Sequence, residues 1–321
     1  MRVAPDAQQS TEERSVLTHM TQSALIRAEL TATQQEAAHP AVVETAHAAQ
    51  RVLRAGPDRE RLDGLRRMLD RARAGIAAVP PPLLPWPVDL AAPRPPLERS
   101  VVRALKSIPK RNGDLEEPHG SAVVAWRERD ASTLRETIAL LAAAWPEVHA
   151  ELREILVQIA LLDGPAIDGF TDFVVHGAVF IRRDRLETGR DGLPGPVRLA
   201  EALVHEGAHT RCNAASVAGE PFLRPARGGE PLVATPLRVD PRPLNGLFQQ
   251  VVVLARSLLL YRRVLDTGAA AARSAAVRAR HDHVARAAAQ GVRALTEHRG
   301  ALTDHGTSVL EDAAGLTRVR A

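Results

Sequence analysis

Between Pro80 and Pro96, eight of seventeen residues are proline, and that run limits what the chain can fold into more than any other stretch. Proline fixes φ and lacks the N–H that a helix or an inner strand needs, so the segment is expected to be extended and free of helix. As a stiff connector or surface strap it would be pinned on a core by Leu83, Leu84 and Trp86; a recognition ligand for a partner is the other reading. The run parts an N-terminal region, 1–79, from a second helical region, 97–165, and a third region, 166–321, carries the chemistry.

Helical signals fill both flanks. Acids follow Ser10 and Thr11, and Val16, Met20, Leu25 and Leu30 give a loose apolar face up to about Glu36. Pro40 opens a helix that ends near Gly56, and Asp58 caps the next, in which Leu62, Leu65, Met68 and Leu69 recur at helical spacing to Ala78. Helix resumes over Leu97–Ile108, then over Ser132–Trp145 and Pro146–Leu162. Only Phe170–Ile181 is rich in aromatic and β-branched residues, which predicts one or two strands, with His176 either facing solvent or reaching toward a site. The fold expected is mainly α with a small β element: a helical bundle plus a zincin-like HExxH helix next to a short sheet.

That helix is Leu199–Asn213. Positions i and i+4 share a helix face, so His205 and His209 can aim two imidazoles at one ion, with Glu206 turned away to orient a ligand or act as a base. Pro196 just after Gly195 suits a helix start, and good helix formers follow. Ala202, His205, His209 and Cys212 fall on one stripe, where Cys212 is either a ligand or a small buried hydrophobe. A loop over Val217–Val239, rich in Gly, Pro and Arg, is long enough to cover a site. An Arg-Asp-Pro cluster then opens a helix running to Asp266, with Gln249 or Gln250 turned inward near its start, and two more helices close the chain.

Composition narrows the function. At 45% hydrophobic and 25% charged residues the chain is ordinary for a soluble globular protein. A net charge of +4 with 3% aromatics gives no basic stripe with interleaved rings, so nucleic acid is not an expected partner. No apolar run reaches the length of a membrane span, the start lacks a signal-peptide core, and a single cysteine suits a reducing cytoplasm.

The segments Leu203-Val-His-Glu-Gly-Ala-His-Thr-Arg-Cys-Asn213 and Arg238-Val-Asp-Pro-Arg-Pro-Leu-Asn-Gly246 together resemble the HExxH-type peptide β-hydroxylases, which act on ribosomally made peptides with iron(II) and 2-oxoglutarate. The resemblance spans roughly 170–266, with a weaker echo at Leu302–Leu310. It implies a peptide substrate, such as a ribosomal precursor peptide, and a facial metal set of His205, His209 and a third ligand three residues beyond Gly246. Here that position is Gln249 in place of the family's histidine, and Leu237 replaces its tryptophan. A neutral amide oxygen is a weaker donor than imidazole, so looser metal binding or altered chemistry follows. Arg242 and Arg238 are the guanidinium candidates for the distal carboxylate of 2-oxoglutarate, unless Arg242 is spent on Asp240 or a helix end. Two other classes stay open. A zinc metallopeptidase would use Glu206 as general base and needs a further ligand, for which Glu220 and Glu230 are at hand; a non-catalytic peptide-binding homologue would keep the fold alone.

Overall fold

The computed structural model describes residues 1–79, 86–108, 120–226, 229–236, 238–268 and 274–318, with backbone alone at 238–240. In chain order they form α1 (Ala7–Ile26), α2 (Gln34–Ala37), α3 (Pro40–Ala55), α4 (Arg59–Ala77), β1 (Asp89–Ala91), α5 (Pro95–Lys106), β2 (Ala122–Val124), α6 (Glu128–Ala144), α7 (Pro146–Ile155), β3 (Gln158–Asp163), β4 (Gly169–Thr171), β5 (Ala178–Arg182), α8 (Gly195–Ala218), β6 (Leu232–Thr235), β7 (Arg238–Pro243), α9 (Leu244–Asp266), α10 (Ala275–Glu297) and α11 (Asp304–Thr317). The architecture is mainly α with a small β part. Two compact units divide it: a sheet unit of Thr11–Asp130 and Arg153–Arg183, and a helical unit of Met1–Ser10, Ala131–Leu152 and Asp184–Ala321.

In the sheet unit, β1, β3 and β5 run parallel, β4 pairs antiparallel with β5, and β2 pairs antiparallel with β3. Central β3 corrects the expectation of helix through Leu162. Its Ile159, Ala160, Leu161 and Leu162 are all fully buried, as both faces of an inner parallel strand must be. A short continuous apolar run fits a buried strand as well as a helix face, and here Val157 and Gln158 donate to the Gly177 carbonyl instead of continuing α7. From Trp86 on, the proline run departs from the helix-free strap expected. Residues 89–91 pair with β3, Pro95 and Pro96 occupy the first turn of α5 where no N–H is needed, and Trp86 is buried. Leu83 and Leu84 lie outside the described residues.

Helices α3 and α4 pack through Val42, Ala46, Leu65 and Leu69, and the caps read from sequence hold: Pro40 starts α3, and Asp58 accepts the Arg61 N–H at the head of α4. Helix α1 stops at Ile26, ten residues short of Glu36. Glu29 takes a left-handed φ of 59°, and the Leu30 N–H closes on the Leu25 carbonyl at 3.0 Å, a Schellman-type end. Leu25 and Leu30 are buried while Val16 and Met20 stand exposed, so only half of the expected apolar face of α1 is one.

The helical unit is built on α8, α9, α10 and α11, with the β6–β7 hairpin packed against α9 and α10. Gly195 has to be glycine, because a Cβ there would stand 2.2 Å from the Leu186 carbonyl oxygen. Helix α9 is the one helix among the described residues long and apolar enough to cross a membrane. With 72% of that window buried inside the protein, it serves as a core helix.

Candidate metal site on α8 and α9

Helix α8 is buried on nearly every side. Its half-buried positions between Leu199 and Ser216 are Ala202, His205, His209, Asn213 and Ser216, which fall on one stripe at spacings of three and four. The sequence reading puts Cys212 on this stripe. In the structure the stripe is the open face, and Cys212 lies beside it in the core with Ala208, Phe248 and Val251. Burial pushes the Cys212 thiol up to about 12, so it is a neutral hydrophobe there rather than a thiolate donor.

The two imidazoles stand as the i, i+4 spacing predicts. Their ring centroids are 5.1 Å apart with planes inclined by 59°. Two imidazoles on one ion, each with a metal–nitrogen bond of about 2.1 Å, span centroid separations up to roughly 6.5 Å, so both rings can reach a shared ion. Glu206 is buried, with Oε1 4.0 Å from His205 Nε2.

Gln249 arrives from α9, forty positions downstream. Its Oε1 lies 2.7 Å from His209 Nδ1, and its amide nitrogen donates to Asn213 Oδ1 at 3.2 Å. An amide oxygen can only accept, so the ring proton of His209 sits on Nδ1 and the lone pair on Nε2. In this arrangement Gln249 holds His209 in the tautomer that presents Nε2 to a metal, a role usually filled by a carbonyl or carboxylate behind a metal-bound histidine. To become the third ligand, Oε1 would have to leave Nδ1. Among the described residues no group of three His, Cys, Asp or Glu side chains could hold an ion, so a metal here would rest on the two imidazoles and on the Gln249 amide oxygen once it leaves Nδ1. Sequence reading gives Asn213 no part in the site, although its place four residues beyond His209 is the signal that marks it.

Arg242 stands on β7 directly opposite buried Val233, so it shares the inward face of the hairpin. A Cβ added to Gly246 would come 3.5 Å from the Arg242 Cβ, which seats this arginine against the first turn of α9, one turn before Gln249. The backbone of Arg238 pairs with Thr235, while its side chain, and that of Asp240, lie outside the described residues. Neither carboxylate considered for a zinc peptidase is placed with the imidazoles. Glu230 accepts the Asn245 N–H at the head of α9, and Glu220 offers its main-chain carbonyl to His305 Nδ1 at 2.9 Å. His305 is half-buried against Phe222.

What aligns α8 with α9 is a charge cluster that sequence did not reveal. Glu151 of α7, Arg211 of α8 and Arg256 of α9 are 0%, 1% and 1% exposed. Both guanidiniums bond the one carboxylate, Arg211 also reaches Gln9, and Arg256 also donates to the Val3 carbonyl. Burial first, and then the neighbouring Arg256, pull the Arg211 guanidinium down to about 10. A second tie joins Tyr261 of α9 and Arg280 of α10 to Glu201, one turn before His205.

Beyond His209 the same seam opens into a cavity of about 380 Å³ lined by Ser216, Phe222, Arg224, Glu230, Leu244 and Asn245. Residues 221–224, 226, 230 and 231 of the loop after α8 line it. His176 belongs to the sheet unit, half-buried at the end of a short 3₁₀ turn against Phe173, and not to a solvent-facing strand. No family model and no curated protein matches this chain.

Proposed function

We propose that the α8–α9 seam is the metal centre of an iron(II)- and 2-oxoglutarate-dependent oxygenase that hydroxylates a side chain, at its β-carbon, of a peptide substrate in natural-product biosynthesis. His205 and His209 would hold the ion, Gln249 would orient His209 or exchange its amide oxygen onto the metal, and Arg242 would pair with the distal carboxylate of 2-oxoglutarate. The bound iron supplies the power to oxidise an unactivated C–H bond with O₂; the chain supplies position. Buried Glu206 beside His205 is a positioning residue in this reading.

The observation that carries the proposal is the three-residue contact of His205, His209 and Gln249, reached from two helices forty positions apart. Arg242 on the adjoining turn supports it, and the 380 Å³ cavity lies further along α8, reached at Ser216 two turns beyond His209. The zinc peptidase reading has less behind it, because the Glu230 carboxylate is engaged at the head of α9 and, among the described residues, no bond brings the Glu220 carboxylate to the imidazoles. A reducing, cytoplasmic setting is part of the proposal, in keeping with iron(II) and one buried thiol.

Anaerobic titration calorimetry with iron(II), or cobalt(II) as a spectroscopic surrogate, tests the assignment. One equivalent should bind, and His205→Ala and His209→Ala should each abolish it. Undiminished binding by both variants would overturn the site.

A further inference from the structure

The open face of α8 does not end at the imidazoles. Ser216 is the last position of the half-buried stripe that holds His205, His209 and Asn213, and it lines the cavity of about 380 Å³. Seven positions part Ser216 from His209, about 10 Å along the helix axis. The two imidazoles and the cavity therefore share one face of one helix, inside the helical unit. Between them stands Asn213, whose Oδ1 accepts from Gln249 and whose own amide nitrogen is left as a donor.

The far wall of the cavity is preformed. The Arg224 N–H donates to the Ala301 carbonyl at 2.9 Å, the Thr303 N–H donates to the Phe222 carbonyl at 3.0 Å, and Phe222 comes too near Gly306 for a Cβ to fit there. Leu223, Pro231, Leu244 and Ala301 supply apolar lining, and the two charged lining residues, Arg224 and Glu230, cancel. Among the described residues of the helical unit, the large hydrophobics that stand exposed are Val217 and Leu232, and each directly follows a lining residue, Ser216 and Pro231. Exposed apolar groups beside a neutral cavity mark a place where an uncharged apolar group docks.

We infer that this cavity takes a large uncharged side chain of the peptide substrate, at the third position from the residue that is hydroxylated. This rests on His205 and His209 holding the metal. A polyproline-like or extended peptide advances about 3.1 to 3.3 Å per residue, so three residues cover the span from His209 to Ser216, and the threefold polyproline twist turns positions i and i+3 to the same side. The volume stands at the small end of ligand pockets, about 300 to 1,000 Å³, which suits one aromatic side chain with its flanking amides. Asn213 is placed to donate to the peptide backbone between the two points.

N-acetyltryptophanamide is the probe, titrated by NMR into the full chain loaded with manganese(II), with zinc(II) as the diamagnetic control. N-acetylalaninamide, which is too small, and N-acetyltryptophan, which is charged, are the comparisons. Saturable binding about tenfold tighter than either comparison is expected, with paramagnetic broadening that puts the indole roughly 8 to 14 Å from the ion. Ala226→Trp, at an exposed lining position, and Ala301→Trp should each weaken the probe about tenfold or more and leave metal binding unchanged. Absence of saturable binding by the folded protein, an indole more than about 20 Å from the bound ion, or affinity unchanged in both variants would overturn the inference. Probe binding that both variants weaken, in a chain that takes up no metal, would support the side-chain cavity and overturn the metal centre instead.

Discussion

His209 Nδ1 and Gln249 Oε1 stand 2.7 Å apart, joining the HExxH helix to α9 at the turn where a third metal ligand is expected. That single hydrogen bond fixes a tautomer and a ring orientation on α8.

Exchanging this glutamine separates its two possible roles. Gln249→Ala should weaken metal binding about 10- to 100-fold, the usual loss when the group orienting a ligand histidine is removed. Gln249→His should bind iron(II) or zinc more tightly than wild type, because a third imidazole then stands beside His209. Calorimetry on the three proteins decides it, and equal affinities would show that Gln249 has no part in the site.

The stability of the helical unit should hinge on Glu151. Two buried guanidiniums share this one carboxylate, so Glu151→Gln removes the charge that bonds both of them, at a cost of about 3 to 5 kcal/mol. Urea unfolding measures the loss. Arg211→Met, which leaves a balanced Glu151–Arg256 pair, should cost less; a larger loss for Arg211→Met would contradict this account of the cluster.

Acid should destabilise the sheet unit. Burial holds His39 and His176 down to about 4, each below the ordinary value of 6.5. The unfolded chain therefore takes up protons that the folded chain refuses. Their contribution is complete above pH 6.5 and is lost as pH falls toward 4, up to about 3 kcal/mol for each ring. The urea midpoint should drop between pH 7.5 and pH 5, and His39→Phe with His176→Phe should flatten that drop. A midpoint that holds or rises in wild type would contradict the assignment.

Cys212 should resist thiol reagents. At 1% exposure and with a thiol raised to about 12, it should stay unmodified by iodoacetamide at pH 8 for as long as the chain is folded, and react fully in urea. Mass spectrometry of the native and unfolded protein reads the difference. Fast native labelling would place Cys212 on the open stripe instead.

Much of this was legible because it is local. Pro40, Asp58 and Pro196 announce helix starts through groups that only a first turn can use, and His205 with His209 need nothing beyond 3.6 residues per turn. What failed was burial on both faces. Ile159 to Leu162 carries no alternation because both sides of β3 are covered, and α8 shows its stripe as the exposed minority because the remainder of the helix is core. Partnerships across long separations were invisible for a different reason. Nothing near Glu151 in sequence hints at Arg211 or Arg256, and Gln249 was found only because the segment before it resembles a known motif.

The central claim is that two α8 imidazoles hold an iron able to take up a 2-oxo acid. Anaerobic addition of iron(II) and then 2-oxoglutarate, followed by visible absorption, tests it most directly. A weak charge-transfer band should appear in wild type, be lost in His209→Ala, and require more 2-oxoglutarate in Arg242→Ala. Iron bound in wild type with no band at saturating 2-oxoglutarate, or a band unchanged in His209→Ala, would contradict it.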